Sequence, residues 1–220
     1  MHSGAAVLSS SANVVKEPPK RFKAPLLGGL IKRIDPEVRL IALDLGPPAQ
    51  PVIDCLNNGR CRIDIADLIA NGGIEQLNAA ETDDERRVVA ENLLPWSSRK
   101  TGSSSSPADD PVDLILCWDL PNYLSMQNLQ SLVAALSKRA APGTRLHMLV
   151  VYAARDMPTQ PSRYEPTPDG HLIVSPTTSQ RIAAPRYSPE SLNQAVGGFV
   201  YERGVLLANG MQEFVYTWPK

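Results

Sequence analysis

The stretch that most constrains this chain runs from Arg39 to Gly46, R-L-I-A-L-D-L-G, and leads into Pro47-Pro48-Ala49. Leu40, Ile41, Ala42, Leu43 and Leu45 form an apolar run interrupted by a single acid. Such a run suits a strand covered on both faces, the situation of a parallel strand inside an α/β sheet. It ends on Asp44 and Gly46. In open α/β sheets ligands bind outside the carboxyl ends of the strands, so this acid and this glycine are the first candidate site. A plainer reading stands beside it: Gly46-Pro47-Pro48 is only a turn into a helix, with Asp44 making a local hydrogen bond.

The flanking residues extend the pattern. Pro48 to Asn58 reads as a helix with Val52, Ile53 and Leu56 on one side, and Cys61 to Leu68 reads as a second strand around Ile63 and Ile65. Strand, helix and strand fit in the length of a βαβ unit. Thr82 is placed to cap a helix whose first turn carries Asp83, Asp84 and Glu85. Val112 to Trp118 is another apolar run, and Ser125 caps a helix holding Leu129, Leu132, Val133 and Leu136. Thr144 to Ala153 contains a further buried strand. Ser188 with Pro189 opens a short helix, and Val200–Leu207 and Glu213–Trp218 form an antiparallel pair through Asn209-Gly210.

Three stretches do not fit this alternation. Residues 1–24 are read as a disordered tail, although a basic segment from Lys16 to Arg33 overlaps it and carries an amphipathic pattern, Leu26, Leu27, Leu30, Ile31 and Ile34. That segment is a candidate contact for a protein partner or a membrane surface. Gly28-Gly29 weakens a helix there. Residues 97–111, S-S-R-K-T-G-S-S-S-S-P-A-D-D-P, read as a flexible loop. Residues 155–187 form an insert that takes a large share of the chain's 20 prolines, with a hairpin turn expected at Asp169-Gly170. The insert leaves the carboxyl end of a buried strand, so it is expected to cover the site.

Composition removes several classes. The 22 basic and 23 acidic residues leave a net charge of −1, so nothing signals a charge-driven nucleic-acid binder. Cys55, Cys61 and Cys117 have no C-x-x-C spacing, and no metal site is expected. No stretch reaches the ~18 apolar residues of a membrane span, and no charged-then-apolar leader pattern is present. A cytoplasmic protein is expected.

Parallel α/β units closing in a helix and an antiparallel hairpin resemble the class I, Rossmann-like methyltransferases that use S-adenosylmethionine, over residues 25–220. The fold implied is a three-layer α/β sandwich with a mostly parallel sheet. That family's first strand ends in an acid and a glycine-rich turn, commonly [DE]-x-G-x-G-x-G. Here Asp44-Leu45-Gly46-Pro47-Pro48-Ala49-Gln50 keeps the acid and the first glycine, while Pro48 and Gln50 replace the later ones. The family's second strand ends in an acid that binds the ribose hydroxyls. Asp67 matches that position best and Asp64 second. Trp118, Asp119 and Leu120, after the family's fourth strand, match the segment near the adenine or the methyl donor. The family's third strand has no counterpart between Leu94 and Pro111. Asp119-Leu120-Pro121-Asn122-Tyr123 also resembles the D-P-P-Y motif of amino-group methyltransferases, one residue longer.

The resemblance implies a binder of S-adenosylmethionine, or the descendant of one. Asp44, Gly46, Asp67, Trp118, Asp119 and Leu120 would be its cofactor residues, and a small molecule or a protein its methyl acceptor. The rival reading is a non-catalytic module that keeps the fold to hold a protein partner through the basic N-terminal segment. A dinucleotide oxidoreductase is disfavoured because no G-x-G-x-x-G follows the first strand. Asp67 and Asp119 also suit turn caps, and Trp118 and His147 suit the core.

Overall fold

The computed structural model describes residues 18–57, 60–95 and 110–220. In chain order the main elements are β1 (Lys20–Lys23), α1 (Pro25–Lys32), β2 (Leu40–Asp44), α2 (Gln50–Leu56), β3 (Cys61–Ile65), α3 (Gly73–Ala79), α4 (Asp83–Asn92), β4 (Val112–Leu116), α5 (Met126–Leu136) and β5 (Ala140–Val151). The insert then gives β6 (Asp156–Pro158), β7 (Arg163–Pro166), β8 (His171–Ser175) and β9 (Arg181–Ala183). The chain closes with α6 (Pro189–Ala195), β10 (Val200–Leu206) and β11 (Met211–Thr217).

Six strands make the central sheet in the order β10-β11-β5-β4-β2-β3. β3, β2, β4 and β5 run parallel, and β11 and β10 are antiparallel. This is the mixed α/β sandwich with a terminal antiparallel hairpin that the sequence predicts. Among the described residues no strand pairs beyond β3, where the resemblance would place its third strand. Of the loop expected over 97–111, residues 97–109 lie outside the described residues, while Asp110 is ion-paired with Arg39 and Arg62.

Alternation along the strands sends side chains into two cores. Ile41, Leu43, Ile115, Leu146 and Met148 pack with Leu77, Leu129, Leu132, Leu136 and Leu192 of the helices. Ala42, Leu114, Leu116, Trp118 and Leu149 pack on the other face with Leu27, Val52 and Leu56, and with Tyr164 and Leu172 of the insert. The helix starts follow from their caps. Thr82 and Glu85 form a reciprocal capping box, and the Ser125 and Ser188 side chains accept from Asn128 N–H and Ser191 N–H.

The tail reading is corrected in part. Residues 1–17 lie outside the described residues, but Lys20–Lys23 is a strand paired antiparallel with β8, and Phe22 is buried. The reason is long-range pairing: K-R-F-K has one apolar residue and no local signal. Strand β1 with β7 and β8 makes a three-stranded sheet on the second face. The expected turn is present: Gly170 has φ +81 and its N–H bonds to Thr167 C=O at 3.0 Å. Helix α1 forms despite Gly28 because that glycine meets the turn directly; a Cβ there would lie 2.9 Å from Gly170 Cα.

No side chain of Ala24 can cap α1. Glu213, from β11, does so instead: its two oxygens accept from Leu26 N–H at 3.0 Å and Leu27 N–H at 2.7 Å. His147 Nε2 lies 3.0 Å from the same carboxylate, and both side chains are fully buried. Burial alone would raise the Glu213 pKa; the His147 ring and the two backbone donors outweigh it and hold it below the ordinary value. No helix among the described residues is long and apolar enough to cross a membrane.

Candidate functional site

The strand order reverses between β2 and β4, with β3 on the far side of β2. The carboxyl ends of these three strands therefore meet at a topological switch point, the place where open α/β sheets bind ligands. Asp44 is the last residue of β2 and is 1% exposed. Its Oδ1 accepts from Gly46 N–H at 2.9 Å and from Trp118 Nε1–H at 2.6 Å. The local hydrogen bond of the plainer reading is thus real, and a second, long-range one joins it. Burial pushes the Asp44 pKa up to about 6, against the pull of these two donors.

Trp118 follows β4 with φ +50. Its indole lies directly over Gly46, where a Cβ would come within 2.8 Å of Cδ1 and 2.9 Å of Nε1. The absence of a side chain on Gly46 is what admits the ring. The indole also stacks on Tyr164 of β7, with ring centroids 5.5 Å apart and planes 1° from parallel. The insert therefore does cover this end of the sheet. Tyr123 ties it down further by donating to the carbonyls of Gln160 at 2.9 Å and Pro158 at 3.2 Å.

Asp67 stands level with the end of β2, because Ala66 N–H bonds to Asp44 C=O and Leu68 N–H to Leu45 C=O. It is half-buried with φ +42, and its Oδ1 accepts from Ala70 N–H at 3.0 Å, so the turn-cap role is present. Asp64 is held by Arg62 and Arg139 at 3.0 and 2.9 Å. Leu120 is buried in the helix-side core at the start of a short 3-10 turn, Leu120–Tyr123.

Asp119 departs from the others. It is 4% exposed and lines a cavity of about 140 Å³ beneath the insert, together with Tyr123 and Tyr164. Asp44, Gly46 and Trp118 are thus brought into contact, Asp67 stands beside them, and Leu120 and Asp119 point elsewhere. Sequence reasoning missed Glu213. Its only signal is an acid in M-Q-E-F-V-Y, a strand otherwise rich in apolar residues.

Comparison with known proteins gives shape alone. No family model matches the chain, and no curated protein matches its sequence. Among solved structures, protein PH0226 from Pyrococcus horikoshii OT3 is 14% identical over 89% of this chain and 88% of its own, with a TM-score of 0.48. The N-methyltransferase NodS from Bradyrhizobium japonicum WM9 is 12% identical over 89% and 96%, with a TM-score of 0.45. The 1,6-didemethyltoxoflavin-N1-methyltransferase of Burkholderia thailandensis, with 1,6-didemethyltoxoflavin and S-adenosylhomocysteine bound, is 14% identical over 89% and 76%, with a TM-score of 0.46. These are likenesses of overall chain path.

Proposed function

We propose that the chain is an S-adenosylmethionine-dependent methyltransferase-type protein whose crevice lies at the ends of β2, β3 and β4. One observation carries this reading. Among the described residues, the non-glycine residues with positive φ are Asp67 and Trp118. They flank the same crevice, at the ends of β3 and β4. At bulky Trp118 a left-handed backbone costs on the order of 1–3 kcal/mol, less at Asp67, whose residue type adopts it more easily, and such conformations concentrate at functional sites. Strain placed at a switch point, beside a buried acid and a glycine, supports a ligand site there.

The residues fit the cofactor provided the Trp118 indole turns away from Gly46. Gly46 then offers bare backbone for close approach. Asp67 uses only Oδ1 locally, for Ala70 N–H, and its carboxylate suits a pair of ribose hydroxyls. The indole suits an adenine face. Asp44 keeps its bond to Gly46 N–H and so holds the turn in shape. When bound, the cofactor supplies an activated methyl group; the chain's part is to align the acceptor and exclude water.

A second reading is favoured by the packing of Trp118 itself. An indole seated on Gly46 and pinned by Asp44 and Tyr164 is also how a non-catalytic descendant would close the crevice. Titration calorimetry separates the two. Binding of S-adenosylmethionine by the wild type, weakened by about 1.5–3 kcal/mol in Asp67→Ala with the fold unchanged, is expected of the first reading. Silence at millimolar ligand from both the wild type and Trp118→Ala would overturn it in favour of the second.

A further inference from the structure

Beside the switch point the insert walls one side of a half-open pocket of about 140 Å³. It is close to the roughly 150 Å³ that holds one benzene ring in an engineered apolar cavity. Val151, Met157, Val174, Pro176 and Met211 supply apolar wall. The polar groups on it are mostly committed. Asn122 Nδ2 donates to Asp119 C=O and Leu149 C=O, and its Oδ1 accepts from Val151 N–H. Tyr123 donates to backbone carbonyls of the insert, and Arg181 pairs with Asp156.

Asp119 is the exception. Its Oδ2 accepts from Ser162 N–H at 3.2 Å, while Oδ1, buried, has no hydrogen-bond partner. A buried carboxylate oxygen left unpaired is costly, and native structures keep few of them. The neighbouring Tyr164 hydroxyl lies near enough to the carboxylate to draw the Asp119 pKa down against burial, but no hydrogen bond from it completes Oδ1; its other contact is the Met211 thioether, at 3.8 Å.

We propose that this cavity is a binding subsite for one ring-sized group that donates an N–H or O–H to Asp119 Oδ1. The apolar walls fit the body of such a group, and the unpaired oxygen fixes its orientation. Burial pushes the Asp119 pKa up to about 7, so slightly above neutrality the carboxylate accepts such a donor. The stacked Trp118–Tyr164 pair links the two places: Trp118 holds Asp44 at the switch point, and Tyr164 lines the cavity. A group seated here is one aromatic pair away from the switch point. Its role as the methyl acceptor rests on the methyltransferase reading; its binding does not.

The test uses two isosteric probes, pyrrole and furan, titrated into the full chain at about pH 8, above the carboxyl pKa. Amide shifts at Ser162, Tyr123 and Val151 report occupancy by NMR. Pyrrole is expected to bind about tenfold more tightly than furan, the difference made by one hydrogen bond to a charged group. Asp119→Asn keeps an acceptor for Ser162 N–H and can turn the open position into a donor, so the preference for pyrrole should vanish. Equal binding of the two rings, shifts confined to other residues, or no saturable shift overturns the subsite. Pyrrole preference in a protein that ignores S-adenosylmethionine upholds the subsite and removes only its acceptor role.

Discussion

Trp118→Phe should destabilise the protein more at pH 8 than at pH 5. Phenylalanine keeps a ring for Tyr164 to stack on but removes Nε1–H, one of the two donors on Asp44 Oδ1. Folding raises the Asp44 pKa from 3.8 to about 6, so the folded state holds this proton more tightly than the unfolded one. The stability Asp44 contributes is therefore greatest below the unfolded value and falls as pH rises through the folded one. The whole loss is on the order of 3 kcal/mol. The indole N–H pulls the pKa down, so removing it moves the folded value higher and deepens the loss. A hydrogen bond to the ionised carboxylate is worth about 1.5–3 kcal/mol, and one to the neutral acid about 0.5–1.5. The excess destabilisation at pH 8 over pH 5 should thus be about 1 kcal/mol or more. The volume lost from tryptophan to phenylalanine is the same at both pH values and cancels, as does the titration of Asp119. Urea unfolding at the two pH values, with unchanged m, measures the difference. Equal losses at pH 5 and pH 8 would refute the assignment of the indole as a donor to ionised Asp44.

Gly46→Ala should cost about 1–3 kcal/mol, because its Cβ would meet the indole at 2.8 Å and that ring is pinned by Asp44 and Tyr164; a urea midpoint shift equivalent to less than 0.5 kcal/mol, roughly a neutral surface change, would show the ring slides freely. Glu213→Ala should cost about 3–5 kcal/mol, since it strands buried His147 and the amides of Leu26 and Leu27 together. Hydrogen exchange at those two amides should accelerate in this variant before the sheet amides do, and protection left unchanged would mean α1 is held by packing alone.

The central strands were legible because their signal is local. Leu40–Asp44 is apolar on both faces, and Thr82, Ser125 and Ser188 stand where helices need an acceptor. The turn at Asp169-Gly170 was legible for the same reason. Strand β1 was not, because K-R-F-K becomes a strand only by pairing with β8. The Glu213–His147 contact joins residues 66 apart, each sitting in an apolar strand with nothing to announce the other. In the candidate site, Asp44 and Gly46 could be read together because they are two residues apart. That Trp118 turns toward them while Asp119, the next residue, turns under the insert depends on a single left-handed backbone angle, which residue type does not encode.

The small sheet over the crevice has a consequence for how the molecule is made. Its β1 comes from the beginning of the described chain and its β7–β8 hairpin from beyond the fifth strand; Arg21 and Asp169, ion-paired across it, are 148 residues apart. Closing so long a loop is paid in entropy before any contact forms. During synthesis the first strands can pair while β1 still has no partner, and Glu213, which anchors α1, emerges later still. The cover can therefore close only once β8 has been made, before β10 and β11 complete the central sheet, and until then β1 is an unpaired basic strand. In the finished protein the same long-range arrangement makes the cover a natural unit for detachment. Losing the β1–β8 pairs leaves the six-stranded sheet and its helix-side core intact.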